Sequence, residues 1–454
     1  MKAANGCGEL AVRIFGMVAA AVLTLAGVDA AGAAPVVMIS IDGLRPGDVL
    51  DADARGVKAP NLRRLAEQGV YATGVRDALP SVTYPNHTTL VTGVWPARHG
   101  IASNTTFDPM RRNLEGWYWY NAAIRVPTLW SAVHAAGRTT ASLGWPVTVD
   151  APAIDFDLPE YWRAKTAQDI PLAHALATPG LPEAIEARVH VGLADIADVS
   201  PAADAAKAKA AIALVELKHP AFFTLHLSSL DHVEHLFGPG SPEAYDALAR
   251  IDAEVGDIVA AARREAPGVV VVIVSDHGFA PVEHDLNLGA AFVQAGLIRL
   301  DAAGQPASWD AAIWASGGSA AVVLARPDDP ALRARVAALL ERLAADPASG
   351  VGRVIDRAGI AAMGGAPDAD FFVDARIGYE IAAGLSGPLV APGAQKGTHG
   401  YFPDHPEMRA ALIIQGSGVR PAGSLGEVDM RDIAPTVARL LDVPLPSADG
   451  RPLF

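Results

Sequence analysis

The feature that most limits what this chain can become is a set of apolar runs, each about a strand long. They are PVVMISID at 35–42, TTASLGW at 139–145, AFFTLHLSSLD at 221–231, VVVVIVSD at 269–276 and AALIIQG at 410–416. Runs that are apolar at nearly every position belong to strands covered on both faces. Between them lie stretches with helical spacing, at 59–69, 127–137, 201–218, 242–265 and 429–442. Strand alternating with helix predicts an α/β fold, a mainly parallel central sheet with helices on both faces. In such a sheet ligands meet the chain beyond the carboxyl ends of the strands. Those ends are acidic here: Asp42 closes the first run, Asp231 the third, and Asp276 the fourth with His277 beside it. The segment 280–395 is less regular, with a helix expected at 330–346. It is expected as a smaller α+β subdomain or lid inserted into a single domain that runs from 35 to 454.

The 454 residues carry a formal net charge of −14, and no basic run appears anywhere. That balance excludes a nucleic-acid groove, which needs clustered Lys and Arg. It leaves room for a small phosphorylated ligand held through metal ions, because bound cations dominate the local field. The hydrophobic fraction of 51% is inflated by alanine and does not indicate a membrane protein.

Residues 1–34 have the layout of a secretory signal peptide: Lys2 and Arg13, an apolar stretch from Phe15 to Val28, then small residues before Pro35. The apolar stretch is shorter than the roughly 20 residues that a membrane span needs. Cleavage near Ala33 or Ala34 is therefore expected, with export to the periplasm or the exterior and no span retained. Cys7, the only cysteine, would leave with the peptide. A divalent cation in the remaining chain has to be held by Asp, Glu and His.

Three local clusters offer such ligands. In DHVEHLFGP, Asp231 and His235 are four apart and share a face if the segment is helical, while His232 and Glu234 point elsewhere. In SDHGF, Asp276 and His277 can act together only if the strand ends there, a turn Gly278 permits. In GTHGYF, His399 sits between glycines. Each alone reads as well as an exposed polar turn, a strand-terminating turn or a lone loop histidine. Together with Asp42 they form a set at expected strand ends and turns, and the count suits two cations with about three side chains each.

The stretch TYPNHTTLVTG, 83–93, places a threonine at the start of an expected helix. A capping role for the hydroxyl accounts for Thr83 taken alone. The alternative is chemical. A threonine hydroxyl is a poor nucleophile unless a base or a metal takes up its charge, and no Gly-x-Ser-x-Gly elbow or Ser-His-Asp pattern surrounds this one.

In order along the chain, VVMISIDGLRP, LPSVTYPNHTTLVTGVWPARHGIASNTTFDP, LGWPVT, DHVEHLFGP, VSDHGF and KGTHGYF resemble the alkaline phosphatase superfamily, and within it the nucleotide pyrophosphatase/phosphodiesterase family. The resemblance implies an alkaline phosphatase-like fold and hydrolysis of phosphodiester or pyrophosphate bonds in a small phosphorylated substrate. It implies that Thr83 is the nucleophile, forming a phospho-threonine, and that Asn104 donates to a phosphoryl oxygen. Asp42, Thr83, Asp276 and His277 would hold one zinc ion, and Asp231, His235 and His399 a second. Tyr84 is expected beside the substrate. Gly144–Val149 departs from the family pattern, which puts any substrate contact there in question. The aromatic run Trp117–Tyr120 is expected to pack rather than to stack on a ligand. A phosphomonoesterase or phosphonate hydrolase on the same scaffold is the alternative, an inert zinc-binding module a remote one, and a sulfatase is disfavoured because its nucleophile would be a modified Cys or Ser.

Overall fold

The structure, a computed structural model, describes residues 33–113, 116–162 and 166–454. Cys7 and the expected signal peptide up to residue 32 lie outside the described residues. Among the described residues no helix is long and apolar enough to cross a membrane.

All of the apolar runs enter one eight-stranded sheet. Its order is Gly423–Ser424, Val70–Tyr71, Leu412–Gln415, Val270–Val274, Val36–Ile41, Phe222–Leu227, Thr140–Leu143 and Phe156–Leu158. The strands from Val270–Val274 to Phe156–Leu158 are parallel. Leu412–Gln415 runs antiparallel to its neighbour Val270–Val274, so the sheet is mixed at one side.

Side-chain alternation explains why these strands are apolar throughout. Ile39, Phe223 and Ile273 face a core shared with helices Pro60–Gln68, Pro201–Lys218 and Pro242–Glu265. Met38, Phe222 and Val272 face a second core under helices Thr83–Thr92, Leu129–Ala135 and Ile433–Leu440. A strand with two covered faces has no position left for a solvated polar residue. The long helices begin where the sequence supplies caps: Ser200 accepts from Ala203 N–H and Ser241 from Ala244 N–H, each followed by proline at the first helical position.

The run 221–231 is not one strand. It divides into strand Phe222–Leu227 and helix Ser229–Phe237, so Asp231 sits in the first turn of a helix rather than at a strand end. Helix Pro330–Ala345 lies in the expected place. It packs against an antiparallel sheet ordered Ala311–Ser316, Ser319–Leu324, Phe371–Ala375, Val351–Asp356. Strand Ala280–Leu286 links this region to the main sheet and pairs with Gly397–Thr398, which delivers the next residue, His399, to the carboxyl edge.

Candidate active site

Asp42 is the first residue past strand Val36–Ile41, and its N–H donates to Leu227 O at 2.9 Å. Gly43 follows in the left-handed region at φ 74°, and its N–H donates to Asp276 Oδ1 at 3.3 Å. A Cβ at position 43 would lie 3.2 Å from Phe279 Cδ2 and 3.3 Å from Glu234 Oε2, so both the turn and the space call for glycine. Asp276 and His277 leave strand Val270–Val274 together. Gly278 serves that exit by close approach, since a Cβ there would lie 2.1 Å from Glu407 O.

The expected ligands converge. Asp231, His235 and His399 each present an atom within 4.8 Å of the others, and so do Asp42, Asp231 and His277. Asp231 thus stands between the two groups. His277 Nε2 lies 3.3 Å from Asp42 Oδ1 and 3.1 Å from Asp276 Oδ2, which brings Asp276 into contact with the deeper group. The imidazoles of His277 and His399 stack, centroids 3.6 Å apart and planes 7° from parallel. Asp42, Asp276 and His277 are sealed from solvent, whereas the side chains of Asp231 and His235 are 19% and 23% exposed.

Three features of this arrangement suit cations. The buried atoms Asp42 Oδ1, Asp231 Oδ1, Asp276 Oδ2 and His277 Nε2 have no hydrogen-bond partner. Among the described residues, the only basic side chains within 4.0 Å of Asp42, Asp231 and Asp276 are histidines, with no Lys or Arg. Buried carboxylates without countercharge are costly. Finally, Nδ1 of His235, His399 and His277 lies 3.0, 2.9 and 3.1 Å from the carbonyls of Gly397, Ser81 and Gly278. That bond fixes each ring and turns Nε2 toward the carboxylates.

The electrostatics show the same strain. Burial, then repulsion from Asp276 and Asp231, pushes the Asp42 carboxyl well above its usual range. Burial would raise Asp276 too, but His277 and His87 outweigh it and hold that carboxyl far below the ordinary value. Burial, helped by His277 and His235, keeps His399 well below the usual histidine value, hence neutral and able to ligate.

Thr83 is the first residue of helix Thr83–Thr92. The cap position belongs to Val82, and no side chain makes a capping bond, so the capping explanation for Thr83 fails. Two contacts bracket it. Ser81 O receives His399 Nδ1–H, and His87 Nδ1 lies 2.9 Å from Thr83 O and 3.5 Å from Asp276 Oδ2. Asn104 Oδ1 accepts the Tyr84 N–H at 2.9 Å, which holds the amide with its NH2 free of that bond at the helix start.

Tyr84, expected beside the substrate, is wholly buried and leaves no ring face for a ligand. Its ring packs against Trp117 and Trp119 at 5.1 and 6.1 Å; Trp119 is core and half-buried Trp117 and Tyr118 pack against it, as expected, whereas Tyr120 at the end of the run is 52% exposed. Trp145, Val147, Thr148 and Val149 are likewise buried. Glu234, read as pointing away, is 1% exposed and lies 3.3 Å from Arg45 Nη2.

Two residues at the site have no place in the sequence reading. His226 Nε2 lies 2.9 Å from Asp42 Oδ2, and Glu160 Oε2 lies 3.4 Å from His226 Nδ1. A histidine in an otherwise apolar strand, as in FFTLHL, is the one signal that pointed to the first; nothing in the sequence marks the second. Glu160 also lines a cavity of about 470 Å³ at the same edge of the sheet, together with Gly144, Trp162, Lys207 and Ser228.

A family model described as type I phosphodiesterase / nucleotide pyrophosphatase matches residues 36–402. The chain is 27% identical over 251 residues to an uncharacterized pyrophosphatase/phosphodiesterase of Schizosaccharomyces pombe, covering 54% of this chain and 45% of that one. It is 24% identical over 251 residues to ectonucleotide pyrophosphatase/phosphodiesterase family member 1 of Homo sapiens, covering 54% of this chain and 23% of the other. The chain thus spans less than half the length of these relatives. Murine ectonucleotide pyrophosphatase/phosphodiesterase 5 superposes with a TM-score of 0.65 at 19% identity, over 92% of this chain and 97% of that one, which is likeness of fold. An inactive form of the same murine protein, solved in complex with AMP, superposes with a TM-score of 0.64 at 19% identity, over the same 92% and 97%.

Proposed function

From the premise that this chain belongs to the type I phosphodiesterase / nucleotide pyrophosphatase family, we propose that it hydrolyses phosphodiester or pyrophosphate bonds in nucleotides or related small phosphodiesters, through a phospho-threonine at Thr83. The single observation that carries the reading is the convergence of Asp42, Asp231 and Asp276, with unpartnered oxygens, beside the helix that begins at Thr83. Asp42, Thr83, Asp276 and His277 would hold one divalent cation, and Asp231, His235 and His399 the other, with zinc the expected metal. When bound, the pair supplies Lewis-acid chemistry, stabilising negative charge on the attacking and the leaving oxygen.

The chain's own residues do the rest. Thr83 Oγ1 attacks phosphorus, the phosphorus–oxygen bond to the leaving alcohol or phosphate breaks, the hydroxyl proton passes by way of solvent to the leaving oxygen, and the phosphoryl group stays on Thr83. The Asn104 amide, oriented by the bond between its Oδ1 and Tyr84 N–H, donates to a non-bridging oxygen. Water entering from the leaving side then cleaves the new bond, restores the hydroxyl and releases phosphate or a nucleoside monophosphate. The AMP bound by the murine relative supports a nucleotide in this role.

A monoester brings an extra negative charge that calls for extra positive charge from the protein. Since no Lys or Arg reaches the three carboxylates among the described residues, the diester reading is favoured over the phosphomonoesterase alternative. Residues 280–395 are read as an inserted subdomain, and residues 1–34 as an export signal. The test compares a chromogenic phosphodiester, the matching monoester and a dinucleoside pyrophosphate on the purified protein. The diester and the pyrophosphate should turn over fastest, and a monoester rate well above both would reverse the assignment.

A further inference from the structure

A line of polar groups runs from Glu160 at the cavity wall, 17% exposed, through buried His226 to buried Asp42. His226 is the next-to-last residue of strand Phe222–Leu227 and pairs in register with Ser40, so its ring emerges beside the end of the neighbouring strand. Nε2 lies 2.9 Å from Asp42 Oδ2, while Nδ1 lies 3.2 Å from Gly144 O and 3.4 Å from Glu160 Oε2. Both ring nitrogens therefore face acceptors. Glu160 is itself pinned: its Oε1 accepts from Tyr84 O–H and from Trp162 Nε1–H, each at 3.1 Å. His87 closes the other side of the ring, centroids 4.5 Å apart.

This line has a consequence for Asp42. A carboxylate just past a strand end can rotate about its side-chain bonds. Tied at Oδ2, it cannot, and Oδ1 is left without a partner, 3.3 Å from His277 Nε2 and in the group with Asp231. Tethers of this kind on metal-binding side chains typically change affinity by about 10- to 100-fold when removed.

We propose that His226, oriented by Glu160 and the Gly144 carbonyl, is the positioning residue for Asp42, and so sets the affinity of the cation site built on Asp42 and His277 but not that of Asp231, His235 and His399. The inference rests on the reading that the protein binds two cations. A histidine that merely fills core space would instead affect both sites alike, through general loosening of the fold.

The experiment strips the purified protein of metal and titrates zinc against a chelating dye, for wild type, His226→Asn and Glu160→Gln. Asp42→Asn and His235→Ala serve as references that identify the two equivalents. Wild type should take up two. His226→Asn should weaken, by about 10- to 100-fold, the equivalent lost in Asp42→Asn, and leave the one lost in His235→Ala in place. Glu160→Gln should move the same equivalent by a smaller factor, with the melting temperature of the metal-free protein unchanged. Wild-type affinities in both variants would overturn the proposal, as would equal weakening of both equivalents. If His226→Asn does not fold, Glu160→Gln decides alone, and an unchanged titration overturns the idea. A wild-type protein that binds no zinc would defeat the two-cation reading itself, a result distinct from the others.

Discussion

At the scale of single residues, the chemistry proposed for the site concentrates on few atoms. Thr83→Ala removes the attacking oxygen and should lower turnover of the chromogenic diester by about 10³-fold or more. Asn104→Ala should cost about 10²- to 10³-fold, the scale set by loss of one donor to a developing oxyanion. Steady-state rates on purified variants with matched melting temperatures check both. Away from the site, His405 gives a pH signature. Its Nε2 lies 2.8 Å from buried Asp374, and that hydrogen bond raises its pKa above the ordinary 6.5. The sign follows from linkage: the raised folded value adds stability that is complete below the unfolded value, about 6.5, and is lost as pH rises through the folded value. His405→Asn should therefore be less stable than wild type by about 1 kcal/mol at pH 5.5, with the gap closing by pH 9. Urea titrations at both values measure it, and an equal gap at each pH would refute the ion pair's role.

At the scale of elements, the apolar runs were legible because doubly covered strands have no alternative composition, and the helices because their caps and spacing are regular. What was not legible has physical reasons. The run 221–231 conceals a strand-to-helix junction, since Ser228 and Ser229 look no different from strand residues in an apolar context. The two-residue strands at Val70–Tyr71 and Gly423–Ser424 are too short to carry a period. The direction of Leu412–Gln415 depends on how the chain returns from the inserted region, which no local pattern encodes. Within the site, ligands beside glycine or at strand ends could be picked out. Glu160 could not, because its meaning lies in partners at positions 84, 162 and 226. The junction after Val270–Val274 allows a test of the close approach. Gly278→Ala would press a methyl group against the Glu407 carbonyl and should cost about 3 kcal/mol, the upper range for overpacking. Thermal denaturation reads this loss directly.

At the scale of the whole molecule, two cores back to back on one sheet give a rigid platform, and its carboxyl edge collects charge that the platform alone does not neutralise. Cation binding should then appear in global stability. Zinc at a hundred times its dissociation constant adds about 2.7 kcal/mol per site, so a chelator should lower the melting temperature, and readdition of zinc should restore it. A chelator-insensitive melting curve would argue that the carboxylates find relief elsewhere.

One contact of that edge reaches furthest along the chain. The His399 ring is anchored on the carbonyl of Ser81, a separation of 318 residues, at the threshold of the helix that bears Thr83. A polypeptide still threading out of a ribosome owns the threonine long before it owns the histidine. The hydrolytic apparatus proposed here would consequently stay silent throughout synthesis, and a cut between Thr83 and the late glycine loop would leave the threonine and His399 on separate pieces of chain.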